Sequence, residues 1–262
     1  MPRAYHRGGV TAKRLTIGKV PIDVLTFSEA LERIEGLVNA RQGGFVFTPN
    51  VDHIVTVEDH PEFEAAYAKA SLSLADGTPV VWSSRLLEHR LPEKISGSDL
   101  AGPLLELAGR KKWRVAFLGA GPGVAEKAAQ IAHEKWKTDV VYTDAPMVKL
   151  DDAAQLDDIA HKLKQANADL VLMAFGAPKQ ELLIHRIADR VKPAVLLGIG
   201  ASLDFIAGTV KRAPVVMQKA GLEWLFRLGQ EPRRLWRRYL VNDPKYLLIL
   251  AKTLGARGRD PR

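Results

Sequence analysis

The 262-residue chain contains no cysteine. That removes disulfides, thiolate metal sites and thiol nucleophiles together, and it suits a reducing compartment. No apolar run reaches the roughly 18–20 residues that a membrane-spanning helix needs. The basic N-terminus, MPRAYHRGGVTAKR, is not followed by an apolar core, so it does not read as a secretory signal. Residues 1–14 are expected to form a flexible basic tail. The seven histidines (6, 53, 60, 89, 133, 161, 185) show no two-ligand helical spacing, and most read as surface residues. Asp-x-Asp pairs and a Gly-x-Ser-x-Gly elbow are also missing. No metal is therefore expected.

What is there is ordinary in amount and unusual in placement. The chain is 47% hydrophobic and 26% charged, enough for one large α/β domain or a domain plus an appendage. Its net charge is +8, but residues 211–262 hold 13 Lys/Arg against four acids, so that segment alone carries +9 and the rest −1. Charge placed at one end points to an anionic partner: nucleic acid, a membrane surface or a phosphorylated substrate.

Short apolar runs alternate with amphipathic stretches. Strands are expected at 43–48, 71–75, 114–119, 139–143, 169–175 and 194–200. Helices are expected near 28–41, 61–70, 78–88, 98–111, 123–137, 152–166 and 179–191, with Ser98 as an N-cap. The later strands are apolar on both faces, as in a parallel sheet covered by helices on both sides. The fold class is α/β, with a Rossmann-like, mostly parallel sheet over 15–210. From Lys211 the pattern turns to helices alone: APVVMQKAGLEWLFRLGQ, EPRRLWRRYLV and DPKYLLILAKTLG. Pro214, Pro232 and Pro244 suit first helical positions, and Asp243 could cap the last helix. Their apolar residues are interleaved with arginines. This describes either a packed helical subdomain or a basic amphipathic segment for an anionic membrane surface.

Ligands of open parallel sheets bind at the carboxyl ends of the strands. Five polar or glycine-rich turns fall at such ends: Thr48-Pro49-Asn50, Asp76-Gly77, Gly119-Ala120-Gly121-Pro122-Gly123, FGAPKQE (175–181) and GIGASLD (198–204). An Asp-Gly pair is usually a turn, but its place among the other four makes Asp76 a candidate acid or base. The glycine turn at 119–123 suits a phosphate held by backbone N–H groups. Pro122 interrupts it and no acidic residue ends a following strand in the ribose-binding place, which counts against an NAD-dependent oxidoreductase. The remaining chemistry is a carboxylate that deprotonates a hydroxyl, with arginines that hold a diphosphate leaving group. That describes sugar transfer without a metal. His185, four residues after Glu181, could approach the same site.

The motifs FTPNVDHIV, LADGTPVVWSSRLL, ISGSDL, MAFGAPKQE, GIGASLDFIAGTVKRAP and KAGLEWLFRLGQEPRRLWRRYLVNDPKYL resemble the WecG/TagA/CpsF family, glycosyltransferase family 26, from about residue 15 to 250. The resemblance implies an inverting, metal-independent hexosyltransferase. It would move a sugar from a UDP donor to a polyprenyl-diphosphate-linked saccharide at the inner face of the cell membrane, for surface polysaccharide or teichoic acid. N-acetylmannosamine is the expected sugar, with glucose or a uronic acid as the alternatives. Asp76 corresponds to the family's base and Thr48 to its partner. The resemblance also implies donor binding through Gln180, with Lys179 or Glu181, in the loop that holds Phe175 and Gly176; Asn50, Gly77, Gly119, Gly121, Gly123 and Asp204, read from the strand-end turns, are further candidate substrate contacts.

The family's membrane-docking appendage corresponds to 211–262. Arg227, Arg234 and Arg237 would reach the diphosphate, with Arg233 and Arg238 as substitutes. Their spacing keeps them on one side only if the helix runs through Gln230–Pro232. Ser98 and Asp99 could simply cap a helix. Partners are thus a UDP-sugar, a lipid-linked acceptor and an anionic membrane, without nucleic acid and with a homo-oligomer as a possibility. Outside this class, a basic membrane-surface or nucleic-acid adaptor accounts for the charge but leaves the five turns unexplained.

Overall fold

The computed structural model describes residues 13–87 and 89–257. The expected tail over 1–14 lies outside the described residues as far as residue 12. Arg14 instead opens a strand, and its guanidinium donates to Asp23 at 2.7 Å.

Two elements precede the main sheet. β1 (Arg14–Ile17) and β2 (Val20–Asp23) form an antiparallel hairpin, and α1 (Phe27–Ala40) follows. Thr26 and Glu29 close a capping box at its start. The sheet is built from β3 (Gly44–Phe47), β4 (Leu72–Ser73), β5 (Arg114–Gly119), β6 (Asp139–Asp144), β7 (Leu170–Ala174) and β8 (Val195–Gly198). All pairings are parallel, in the order β4-β3-β8-β7-β5-β6. Between the strands run α2 (Val51–Glu58), α3 (Pro61–Lys69), α4 (Thr78–Ser84), α5 (Gly97–Lys111), α6 (Val124–Trp136), α7 (Ala153–Gln165) and α8 (Lys179–Val191).

The period of two along each strand sorts the core into two halves. Phe45, Phe47, Ala116, Leu118, Val171, Met173 and Leu196 point to the face covered by α2, α3, α7, α8 and the hairpin. Val46, Val115, Phe117, Leu170, Leu172, Val195 and Leu197 point to the other, under α1, α5 and α6. Burial on both faces is why these strands read as unbroken apolar runs.

After β8 come α9 (Ser202–Ala207), α10 (Val215–Lys219), α11 (Glu223–Gln230), α12 (Pro232–Arg237), a π-helical turn (Arg238–Asn242) and α13 (Lys245–Arg257). The helix-only C-terminal pattern is thus present, with more breaks than expected. The first of the three segments divides at Ala220–Leu222, and α11 and α12 are separate around Glu231. Pro232 opens α12, whereas Pro214 stands one residue before α10 and Pro244 one before α13. Asp243 closes the π turn. Three other expectations change. Ser96, not Ser98, caps α5, with Asp99 completing a capping box. The helix expected at 78–88 stops at Ser84. α2, absent from the sequence pattern, is capped by the Asn50 side chain, which accepts from the His53 N–H.

Among the described residues no helix is long and apolar enough to cross a membrane.

Candidate active site

All six strands run the same way, so their carboxyl ends share one rim. There α2, α4, α6, α8 and α9 start within a few residues of β3, β4, β5, β7 and β8 respectively. Helix N-termini gathered in this way present N–H groups and positive dipole ends to an anion. β5 connects outward to β6 while β7 connects back to β8, so the order reverses between β5 and β7, where a crevice is expected.

The loops on this rim are cross-linked. The Ala120 N–H donates to Ala174 O at 2.7 Å, joining the 119–123 turn to the end of β7. Gly119 is required there: its φ is +103° and a Cβ would lie 2.6 Å from Ala174 O. Gln180 Oε1 accepts from the Gly200 N–H at 3.0 Å and from the Phe175 N–H at 3.3 Å. Its Nε2 donates to Glu181 Oε1 at 2.8 Å. Gln180 therefore clasps the FGAPKQE loop to the β8 loop with both halves of its amide, and Gly198 leaves the room it needs. Glu181 is fully buried behind it. Its Oε2 has no hydrogen-bond partner, and burial pushes the carboxyl up to about 7. Phe175, Gly176 and Lys179 lie half-buried at the loop surface.

The Asp76 loop is tied down on both sides, by Asp76 N–H to Pro49 O at 2.8 Å and by Ile95 N–H to Ala75 O at 2.7 Å. Thr48 is buried at the end of β3, and Asn50 lies beside Gly77. Asp76 itself is half-buried, and among the described residues its carboxylate takes part in no hydrogen bond or ion pair. Burial pushes it up to about 6, opposed by the Lys94 and Arg227 charges and assisted by Glu223 and Asp99. A carboxylate poised there is mostly ionised at neutral pH and able to take a proton.

Lys94 was not among the sequence candidates; it precedes ISGSDL without a motif of its own. It is the cation that most favours the charged form of Asp76. Lys94 also binds Asp99 at 2.7 Å and lies 4.0 Å from Glu223. Arg212 completes this network through Asp99 and through Glu223 at 3.6 Å. Burial works against the Asp99 charge, yet hydrogen bonds from Lys94 and Arg212 hold that carboxyl down to about 2. The network bolts the start of α11 over the rim, which brings Arg227 close enough to influence Asp76.

The other arginines part company. The break at Glu231 ends the continuous helix, so one shared side is lost. Arg237 is exposed, and the Arg234 side chain lies outside the described residues. Arg238, one of the named substitutes, turns to the body and stands 3.4 Å from Asp52 of α2. Behind Asp52, His53 Nδ1 meets the Tyr67 hydroxyl at 2.6 Å. Burial, helped by Arg238, drives His53 down to about 3, so this histidine is a neutral core residue rather than a surface one.

Asp204 sits in the first turn of α9 and accepts from Thr209. Gly121 and Gly123 shape the entry to α6, with Gly123 at φ +74°. His185 packs edge-on against Phe45, inside the α8 layer rather than on the rim. A cavity of about 250 Å³ lies elsewhere, between α5, α6 and α9, lined by Trp136, Phe205 and Arg212 and not by Asp76.

The rim thus brings the Asp76 carboxylate among several helix N-termini, and nearly the whole chain matches a known family. Residues 15–260 match the Glycosyl transferase WecG/TagA/CpsF family. The chain belongs to that family. It is also 34% identical, over 216 residues covering 82% of this chain and 81% of the relative, to the N-acetylglucosaminyldiphosphoundecaprenol N-acetyl-beta-D-mannosaminyltransferase of Bacillus spizizenii. As a WecG/TagA/CpsF protein the chain is a glycosyltransferase, and the parallel sheet fits the Rossmann-like architecture the sequence implied.

Proposed function

We propose that this glycosyltransferase moves N-acetylmannosamine from a UDP donor to N-acetylglucosamine carried on undecaprenyl diphosphate, with inversion at the transferred carbon. The reaction class follows from the family. The sugar and acceptor follow from the name of the Bacillus relative, which covers four fifths of the chain. The observation that carries the mechanism is Asp76, a carboxylate with no hydrogen-bond partner among the described residues, at the end of β4 and tuned to about 6.

In this reading the acceptor hydroxyl gives its proton to Asp76 as its oxygen attacks the sugar carbon and the bond to UDP breaks. Thr48, at the neighbouring strand end, orients that hydroxyl. The departing diphosphate gains one negative charge, held on its terminal phosphate, as that bond breaks. The helix N-termini of the rim, the Gly119–Gly123 turn, Lys94 and Arg227 supply the compensating partial and full charges. Gln180 holds two donor-side loops in register rather than binding the nucleotide through an amide it already uses twice.

The reaction is metal-free in this reading, as the resemblance of the motifs implies. The lipid-linked acceptor places the enzyme at a membrane, in our reading on its inner face. The +9 segment with its exposed apolar side chains is suited to such a surface.

The test is UDP release by the purified protein from a panel of UDP-sugars, with a short-chain lipid-diphosphate N-acetylglucosamine acceptor and EDTA throughout. Acceptor-dependent release from UDP-N-acetylmannosamine alone is expected. Preference for UDP-glucose or a UDP-uronic acid would overturn the sugar, and EDTA-sensitive release would overturn the metal-free mechanism.

A further inference from the structure

The exposed large apolar side chains among the described residues cluster in one part of the molecule. Thirteen large hydrophobic residues are exposed among the described residues, and all but Met147 lie either in the C-terminal helices or just after Asp76. The latter are Trp82 on α4, 54% exposed, and Leu86 in the turn behind it, 64% exposed. They belong to the catalytic body. Their neighbours Val80, Ser83, Ser84 and Leu87 are buried, so α4 is a packed helix with one apolar side left in water.

The appendage brackets α4 without covering that side. Gly221, between α10 and α11, comes so close to Thr78 that a Cβ would lie 3.2 Å from its side chain. At the other end, Tyr246 of α13 is buried near Ser83, its hydroxyl without a hydrogen-bond partner among the described residues. Beyond these contacts the appendage exposes Leu222 on one flank and Leu247 on the other. Arg85, beside Leu86, and Arg90 are exposed and, among the described residues, have no acidic partner.

We propose that α4 is a lipid-contacting element in its own right: Trp82 and Leu86 enter the interfacial layer of an anionic bilayer beside the appendage, and so fix the height of Asp76 above the lipid. This rests on the membrane reading given above and deepens it. The bilayer is the occupant because the patch pairs an indole and aliphatic groups with exposed arginines, the composition that settles at headgroup level. The patch is also continuous with the basic apolar appendage.

Trp82 lies six positions after Asp76; two extended steps of roughly 3.5 Å and four helical rises of about 1.5 Å put it at most about 13 Å away, so Asp76 stays close to the headgroup layer. The acceptor's diphosphate lies in that layer. Its sugar can therefore reach Asp76 while the polyprenyl chain stays in the bilayer, with no extraction step.

The absence of cysteine makes the test clean. An environment-sensitive fluorophore is attached to Leu86→Cys in the full chain, and vesicles of equal parts phosphatidylglycerol and phosphatidylcholine are added. The Leu86 probe is expected to brighten and shift to the blue. A probe at Lys164→Cys, near the opposite rim of the sheet, is expected to stay unchanged. Trp82→Ser with Leu86→Ser is expected to weaken vesicle sedimentation about tenfold or more without lowering the unfolding midpoint.

A Leu86 probe that stays in water while one at Leu240→Cys in the appendage is buried would overturn this proposal and leave the membrane reading standing. If neither probe responds and the parent does not sediment with vesicles, both fall.

Discussion

Replacing Asp76 by Asn should separate activity from stability in opposite directions. The side chain keeps its size and loses its charge. In the folded protein, burial raises this carboxyl from an ordinary 3.8 to about 6. At ~1.4 kcal/mol per pH unit that displacement amounts to about 3 kcal/mol, and the water still reaching a half-buried carboxylate reduces it to about 2. The sign follows from proton uptake. A raised folded-state value means that the native protein holds this proton more tightly than the unfolded chain does. The stability linked to it is complete below about pH 4 and is lost as pH rises through about 6.

The Asn variant escapes that loss. At about pH 8 it should melt higher than the parent, by about 4–8 °C for about 2 kcal/mol in a chain of this size. Below about pH 4 the two should coincide. Sugar transfer should meanwhile fall by about 10²–10⁴, the usual contribution of a general base. The parent's kcat/KM should rise with pH through about 6. Calorimetry across pH and UDP release on the same samples measure all three. A variant that melts below the parent at alkaline pH, or that keeps turnover within tenfold, would refute the reasoning.

Lys94→Met removes the cation that most favours ionised Asp76, so the acid limb of the pH–rate profile should move to higher pH; an unmoved limb would remove Lys94 from the site. Arg212→Ala leaves the half-buried Asp99 without one of its two cations, at a cost of about 1–3 kcal/mol. Proteolysis or amide exchange should then find α10 to α12 more open, while α5 stays protected. Because Asp99 is held down to about 2, the stability it contributes is present above its ordinary value and lost only as pH falls toward 2. Parent protein assayed at about pH 4 should therefore keep this part of the appendage protected. Gly198→Ala drives a methyl into the Gln180 amide, and should cost about 1–3 kcal/mol together with most of the activity. Adding Gln180→Ala makes room, and stability should recover without activity.

The sheet was legible because its strands are buried on both faces and end in turn residues. The expected runs at 43–48, 114–119 and 194–200 all contain real strands for that reason. α2 escaped because VDHIVTVE is rich in β-branched residues and buries His53, Ile54, Val55 and Val57, which erases the amphipathic period that a helix shows. The hairpin of β1 and β2 is too short, at four residues a strand, to announce itself. For the site, five turns on one rim were visible as glycine and polar punctuation. The roles inside them were less visible: Gln180 looks like a ligand in a string of letters, and only its neighbours Gly198 and Gly200 reveal it as a clasp. Lys94 has no local signal, since its importance comes from Asp76, Asp99 and Glu223 meeting it in space. Helical spacing puts Arg227 and Arg237 on one side only in an unbroken helix; the break at Glu231 leaves Arg237 exposed and the following turn brings Arg238 to Asp52.

The last helix is fastened to the first hairpin. The Gly18 N–H donates to Thr253 Oγ1 at 2.9 Å, and Ile249 and Leu250 are buried there. At its other end the appendage is pinned by Arg212 to Asp99. It is thus a strap buckled at both ends across the mouth of the site, not a flap hung from one hinge. Between the buckles, Glu223 meets Lys94 and Arg212, and Arg238 meets Asp52, so the strap is also stitched to the body along its length. A truncation that cuts the far buckle would slacken the strap over Asp76 from about 175 residues away in the chain.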